Sequence, residues 1–268
     1  DELAQWAKRF GLGSKTEIDL LPKFESSGLV PTPDWKKKRF KKVKNPWVEG
    51  DVVNLAIGQG YLTATPLQLA VFVSALANGG EVLRPQLVRE IRDVSQEKPK
   101  VVHRLEKSVR MNVGMKPEHQ RAVIEGMRRV VQEHGTAAGI AIPGLTIAGK
   151  TGTAERLEKH NLVNDSFFVC FAPIDKPKIV VVVMVERGGF GADTAAPIAR
   201  RLLLQHFHID TNTNNPLAVR SSQGTRTRLV PNTTQPERHK PIQSTTPSEP
   251  ETTAPASSEE STEKEPMP

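Results

Sequence analysis

Four segments of the chain carry apolar residues at the spacing of helices. The clearest has an almost continuous apolar middle, with Thr65 as a candidate N-cap, Pro66 in the first turn and Gly79 as its stop. Such a composition predicts a buried helix, whereas the other segments have an apolar stripe on one face. The four predicted helices are residues 1–10, 65–80, 117 to about 134, and about 193–207.

Three apolar runs in the second half of the chain have the length and composition of buried strands. The last two are joined by P-I-D-K-P, a short loop typical of a hairpin. An order of helices, three antiparallel strands and a final helix predicts a mixed α/β fold, in which helices cover an antiparallel sheet. Residues 19–50 are rich in proline and glycine and predict an extended surface segment. The three predicted strands are residues 145–151, 166–172 and 178–186.

The composition changes abruptly at about residue 211, where Ser, Thr, Pro and Glu replace large apolar residues. A segment of this kind cannot bury enough apolar surface to offset the entropy of ordering it. The sequence therefore predicts a folded region over residues 1–208 and a disordered tail over 211–268. The longest apolar run, residues 179–185, is far too short to cross a bilayer, so any membrane anchor is expected upstream.

Charge and cysteine content narrow the classes of function. The net charge is +7, and one source is the basic run K-K-K-R-F-K-K-V-K at 36–44. Because aromatic stacking residues are lacking there, the run favours a solvated loop, with attraction to anionic lipid or cell-wall polymer as the alternative, and no nucleic-acid partner is expected. Cys170 is the single cysteine and its apolar context predicts a core position. His206 and His208 lack nearby acidic or sulfur ligands, so neither a metal nor a cofactor is expected.

The candidate chemistry lies in I-A-G-K-T-G-T-A-E, residues 147–155. From Gly144 to Thr151 the sequence matches the phosphate loop G-x-x-x-x-G-K-[ST]. That loop requires a strand before it and a helix after it, yet Pro143 precedes it and Gly152 follows it. A nucleotide-binding protein is therefore the weaker of two interpretations.

The second interpretation is a carboxylate site at the end of a strand. Lys150 can attract a substrate carboxylate, and the hydroxyls of Thr151 and Thr153 can orient it. Gly152 lets the substrate approach the backbone, and the N–H that follows can face a developing oxyanion. The glycine-rich turn R-G-G-F-G-A, flanked by Glu186 and Asp193, is first a turn and second a possible border of the same groove.

Several further motifs occur along the chain together with K-T-G. They are G-L-G (11–13), D-L-L-P (19–22), G-L-V-P-T-P-D-W (28–35), N-L-A-I-G-Q-G-Y-L-T-A-T-P-L-Q-L-A (54–70), A-N-G-G with R-P (77–85), G-K-T-G-T-A-E (149–155) and F-A-P (171–173). With these motifs in this order, roughly residues 1–208 resemble the C-terminal part of the transpeptidase domain of class B penicillin-binding proteins, in particular the elongation-type peptidoglycan D,D-transpeptidases. K-T-G is one of the motifs of penicillin-binding proteins and β-lactamases, together with S-x-x-K and S-D-N.

The resemblance implies a serine-type enzyme that cross-links peptidoglycan stem peptides and is acylated by β-lactam antibiotics. Lys150, Thr151 and Gly152 would belong to its catalytic site, and Lys150, Thr151 and Thr153 would bind substrate. The expected location is the bacterial cell membrane, with the domain facing the periplasm or the outside. A glycosyltransferase and membrane proteins of the elongation complex are the expected partners.

The reacting serine of that family is missing from this chain. Its S-x-x-K motif occurs only at Ser95–Lys98, in a polar segment, and at Ser261–Lys264, in the predicted tail, and S-x-N does not occur. A serine hydroxyl needs an activating neighbour, and neither segment predicts the buried helix start that would supply one. We therefore expect the nucleophile upstream of Asp1 and this chain alone to be inactive. A non-catalytic β-lactam-sensing or cell-wall-binding module remains the other alternative.

Overall fold

The computed structural model describes residues 2–19, 23–41, 45–95, 97–158 and 161–210. Among these residues no helix has the length and apolar character needed to cross a membrane. The helices are α1 (Glu2–Arg9), α2 (Pro33–Arg39), α3 (Glu49–Ala56), α4 (Pro66–Ala77), α5 (Pro117–Val131) and α6 (Ala195–His206), with a 3-10 turn at Ala138–Ile140. The strands are β1 (Glu81–Leu83), β2 (Glu90–Asp93), β3 (Lys100–Arg104), β4 (Val109–Asn112), β5 (Ala148–Glu158), β6 (Asn161–Ala172) and β7 (Ile179–Val185).

The main sheet has the order β5-β6-β7, and both pairs are antiparallel. Its register places Lys150 opposite Val169 and Gly152 opposite Phe167. Two small antiparallel sheets, β1-β4 and β2-β3, lie outside it. Within the described part of the chain, β5 is an edge strand, because β6 covers only one of its two sides. The predicted mixed α/β fold with an antiparallel sheet and covering helices is confirmed.

Both faces of the main sheet are buried, which explains why β6 and β7 are almost continuously apolar. Phe168 and Cys170 pack with Leu203 of α6 on one face. Phe171 points to the other face, where it packs with Leu76 of α4. Burial raises the pKa of the Cys170 thiol to about 12, so this cysteine is an inert core residue, as predicted.

The helix predicted over 65–80 is confirmed, and its start shows why the sequence folds there. Thr65 Oγ1 accepts a hydrogen bond from the Gln68 backbone N–H at 3.1 Å, and Gln68 Oε1 accepts from the Thr65 N–H at 2.8 Å. This reciprocal capping box satisfies two backbone donors that the helix leaves free. The helix ends at Ala77, three residues before the predicted end at 80, with Asn78 at its C-cap.

The predicted bounds of the first sheet strand are wrong. The strand begins at Ala148 rather than 145 and continues through the K-T-G motif to Glu158. The apolar pattern did not reveal this extension because the outer part of the β5-β6 hairpin is solvated: Leu157 and Leu162 are 71% and 68% exposed. The K-T-G motif therefore lies in the first half of a long strand and not at its end.

The extended segment predicted over 19–50 is also wrong, because it contains α2 and the start of α3. The basic run is helical up to Arg39, and Lys36 is buried against Asp51 with an Nζ–Oδ2 distance of 2.7 Å. A solvated loop is therefore a wrong description of this part of the run. Residues 20–22, residues 42–44 and the predicted tail 211–268 lie outside the described residues.

Candidate functional site

The K-T-G motif lies on the edge strand of the main sheet, with α5 packed against that strand. Lys150 and Thr151 have extended backbone, and the strand continues for seven residues to Glu158. A phosphate loop would need a helix directly after these two residues. The nucleotide-binding interpretation is therefore wrong.

The open side of β5 presents backbone groups of two motif residues. The Thr153 carbonyl accepts a hydrogen bond from Gln59 Nε2 at 3.0 Å, and the Thr151 carbonyl accepts from Lys150 Nζ at 2.7 Å. In an antiparallel strand the N–H and C=O of one residue point to the same side, and alternate residues share that side. The Thr153 N–H consequently points away from β6, toward the open side of the sheet.

A pocket of about 400 Å³ adjoins this part of the strand. Three hydroxyl groups line it, and Thr136 Oγ1 lies 3.2 Å from Thr151 Oγ1. Hydroxyls can both donate and accept, so they suit a ligand with carboxylate or amide groups. The lining residues are Thr136, Thr151, Gly152, Thr153, Phe190, Gly191, Ala192 and Asp193.

The structure brings three of the four predicted site residues to the pocket. Thr151, Gly152 and Thr153 line it, whereas the exposed Lys150 does not. Lys150 Nζ instead folds back onto the next residue's carbonyl, on the same edge of the strand. Sequence reasoning missed Thr136, which lies in the turn between α5 and the 3-10 turn and carries no motif that could have revealed it.

The glycine-rich turn after β7 forms the opposite wall of the pocket. Gly191 lies so close to the K-T-G strand that an added Cβ would be 2.2 Å from the Phe167 carbonyl oxygen and 2.6 Å from that of Gly152. Only glycine permits this approach. The turn is confirmed by the positive φ of Arg187 (53°) and Gly189 (73°).

A buried serine holds this wall in place. Ser166 Oγ donates to the Phe190 carbonyl and accepts from the Ala195 N–H, both at 3.1 Å, and its residue has no exposed surface. Of the two acidic residues that flank the turn, Asp193 lines the pocket and Glu186 does not. Sequence reasoning also missed Ser166, because its role depends on a contact 24 residues away.

A buried carboxylate ties the β5-β6 hairpin to the same turn. Asp165 Oδ2 accepts from Arg156 Nε at 2.7 Å, and its Oδ1 accepts from the Arg187 backbone N–H at 2.8 Å. The hydrogen bond from Arg156, followed by that from the Arg187 N–H, holds the pKa of Asp165 below its ordinary value. Ionised Asp165 therefore stabilises the base of the wall that carries Phe190 and Gly191.

Replacing Asp165 by Asn should lower the midpoint of thermal unfolding at pH 7, because Arg156 and the Arg187 N–H would lose the buried carboxylate that accepts from both of them. A lowered pKa stabilises the fold above the ordinary carboxyl pKa and loses that effect as pH falls through the folded value. The difference between the unchanged chain and Asp165→Asn should therefore shrink below about pH 4. Calorimetry between pH 7 and pH 3 measures this.

Glu125→Gln is the matched control for that experiment. Arg128 and Arg129 lower the pKa of Glu125 to about 2, but the Glu125 side chain is 39% exposed on α5, whereas that of Asp165 is 7% exposed. Solvent screens such pairs, so this variant should unfold near the original midpoint despite its perturbed pKa. If Glu125→Gln lowers the midpoint more than Asp165→Asn does, burial is not what gives the Asp165 contacts their effect.

Comparisons with known proteins all lead to the same protein family. A family model described as the penicillin binding protein transpeptidase domain matches residues 1–204. The peptidoglycan D,D-transpeptidase MrdA of Haemophilus influenzae is 37% identical over 217 residues, covering 76% of this chain and 32% of that protein. The chain thus spans about a third of the length of the curated relatives it matches.

Solved structures give the same likeness. PBP2 of Pseudomonas aeruginosa is 34% identical with a TM-score of 0.61, covering 78% of this chain and 44% of that one. PBP2 of Helicobacter pylori, solved in complex with MreC, is 27% identical with a TM-score of 0.59, covering 76% of this chain and 35% of that one.

Proposed function

The chain belongs to the penicillin-binding protein transpeptidase family, and from that membership we propose that it supplies one wall of the active site of a D,D-transpeptidase. The complete enzyme would cross-link peptidoglycan stem peptides by serine acyl transfer. The observation that supports this best is the pocket lined by Thr151, Gly152 and Thr153 beside the open edge of β5. A free strand edge next to hydroxyl groups suits a peptide that ends in a carboxylate.

The carboxylate would be held by the lysine and the hydroxyls of the motif. Thr151 and Thr153 present hydroxyls in the pocket, and Thr136 supports Thr151 at 3.2 Å. Lys150 Nζ already lies at the same strand edge, 2.7 Å from the Thr151 carbonyl oxygen. A change of side-chain torsions would carry its charge to a bound carboxylate, for which a flexible ammonium is suited. The ring carboxylate of a β-lactam would occupy the same place.

The reacting carbonyl would be polarised by the backbone. The Thr153 N–H points to the open side of β5, where its partner would be the oxygen of the scissile amide. The serine attacks that carbon, and the amide nitrogen leaves with a proton. We assign this serine, with its S-x-x-K lysine and an S-x-N motif, to a part of the complete protein that precedes Asp1.

We further propose that the complete enzyme is attached to the bacterial cell membrane, with this domain facing the periplasm or the outside. The complex of Helicobacter pylori PBP2 with MreC supports a partner among membrane-associated proteins of cell elongation. A glycosyltransferase that makes the glycan strands is the second expected partner, because cross-linking uses newly polymerised chains.

Labelling with a fluorescent penicillin tests whether the reacting serine lies outside this chain, in the rest of the protein. The chain alone should form no covalent adduct that survives denaturation. Its Ser95 is exposed and follows β2, beside Asp93 and outside any helix, so it lacks the buried helix start that would hold an activating lysine next to it. The complete protein should be labelled, and the same protein with alanine at the serine of its S-x-x-K motif should not. Stable labelling of the chain alone would overturn the assignment; a complete protein without labelling would indicate the non-catalytic module.

A further inference from the structure

Gln59, in the G-Q-G sequence at 58–60, contacts a residue 94 positions later in the chain. The proposed function gives this glutamine no role. Gln59 Nε2 donates to the Thr153 carbonyl at 3.0 Å. We propose that Gln59 is a positioning residue for acyl transfer: its side-chain amide fixes the Thr153 carbonyl so that the open strand edge accepts an amide N–H of the bound peptide. This inference rests on the proposed function.

The backbone conformation of the loop around Gln59 depends on the glycines on either side of it. Gly58 and Gly60 have φ of 74° and 72°, a left-handed conformation that L side chains rarely adopt. The Gln59 N–H donates to the Asn54 carbonyl at 2.8 Å, which ties the loop to the end of α3. A Cβ added at Gly60 would lie 3.1 Å from Asn54 Cβ, so the space is also restricted. The backbone of Gln59 is thus fixed on both sides while its side chain reaches β5.

The Thr153 carbonyl has capacity for a second hydrogen bond. A carbonyl oxygen carries two lone pairs, and Gln59 uses one of them. The oxygen points to the open side of β5, where an added peptide strand would place an N–H donor. The peptide plane that Gln59 fixes directly follows the Thr153 N–H, the donor assigned to the oxyanion. Loss of the Gln59 contact should therefore weaken first the hydrogen bond that the Thr153 carbonyl accepts from the ligand.

This role predicts a dependence on the ligand's chemistry. A penicillin with an acylamino side chain carries an amide N–H that the Thr153 carbonyl can accept. Penicillanic acid has the same reactive ring and carboxylate but carries no nitrogen substituent at C6, so it offers no N–H donor there. In the complete protein, Gln59→Ala should slow acylation by benzylpenicillin about tenfold, the effect of one well-placed hydrogen bond. Acylation by penicillanic acid should change by no more than about twofold.

Gln86→Ala is the matched control. Gln86 Nε2 also donates to a backbone carbonyl, that of Glu106, at 2.9 Å, but on the β2-β3 side of the chain and away from the pocket. This variant should react with both compounds like the unchanged protein. Gln59→Glu should be slowed at least as much as Gln59→Ala with benzylpenicillin. The substitution replaces the amide donor by a carboxylate, which repels the Thr153 carbonyl oxygen.

The experiment measures second-order acylation constants of the complete protein with both compounds, together with thermal unfolding. A tenfold loss confined to benzylpenicillin, with the unfolding midpoint unchanged, supports the inference. Gln59→Ala reacting like Gln86→Ala, or losing equally with both compounds, overturns it. Lys150→Ala, measured in parallel, separates the role of Gln59 from the proposed function. If this variant is acylated slowly by both compounds, the proposed function stands whatever Gln59 does. If it is acylated normally, the proposed function itself fails.

Discussion

Alanine in place of Lys150 should slow acylation of the complete protein by penicillin about 100-fold or more. The Lys150 ammonium is exposed on the open edge of β5, where it donates to the neighbouring carbonyl of Thr151. Among the described residues no carboxylate lies within ion-pair distance of it, so its charge is free for an anionic ligand. Lys36, in contrast, is buried and neutralised by Asp51. Stopped-flow or gel-based labelling gives the rate.

Lys178→Ala is the control for that measurement, because Lys178 is an exposed lysine just before β7, away from the β5 edge. It should be acylated at the unchanged rate. Thr151→Ala should also be slow, while Thr151→Ser, which keeps the hydroxyl near Thr136, should recover most of the rate. Normal labelling of Lys150→Ala would contradict its assignment as the carboxylate-binding cation.

Alanine in place of Gly191 should both destabilise the fold and distort the pocket. Its Cβ would lie 2.2 Å from the Phe167 carbonyl oxygen and 3.0 Å from the Gly152 nitrogen, so the turn would have to move away from β5. Overpacking of this kind typically costs about 1–3 kcal/mol of stability. The displaced wall carries Phe190 and Asp193, so we also expect slower acylation of the complete protein. Thermal unfolding of the chain and labelling of the complete protein measure the two effects.

Gly126→Ala is the matched substitution elsewhere. Gly126 lies within α5, and no atom is within 4 Å of a Cβ added there. Alanine is the better helix former by about 1 kcal/mol, so this variant should unfold at a higher temperature. If Gly191→Ala is as stable as the unchanged chain and is acylated normally, the close approach between the turn and the K-T-G strand does not shape the site.

The sequence was sufficient for elements whose signals are local. The capping box at Thr65 and Gln68 and the apolar run of β7 depend on neighbouring residues, and the structure has both. The outer half of β5 was missed because it is mostly polar and lacks an apolar alternation, since Arg156 and Glu158 occupy its partly buried face. Lys36 was misread because its partner Asp51 is 15 positions away. Burial by a distant partner leaves no periodic pattern in the sequence.

In the candidate site, too, local signals could be predicted and contacts between distant residues could not. Lys150, Thr151, Gly152 and Thr153 form one short motif, so their chemistry could be predicted together. The groups that complete and hold the pocket come from elsewhere in the chain and meet the motif only in the fold. They are Gln59, Thr136, Ser166 and Gly191. Gly191 lies in the turn predicted as a possible border of the groove, and Gln59 lies in a motif of the resemblance, but Thr136 and Ser166 carry no such signal. The contacts of all four appear only when the sheet, α3 and the turn after β7 are assembled.

A crystal structure of the complete protein acylated by benzylpenicillin tests the central claim most directly. We predict that the penicillin carboxylate lies about 3 Å from a hydroxyl of Thr151 or Thr153, with Lys150 Nζ turned toward it. The acyl carbonyl oxygen should accept a hydrogen bond from the Thr153 N–H at a similar distance. An acyl group whose carboxylate and carbonyl both lie away from the β5 edge would contradict the account.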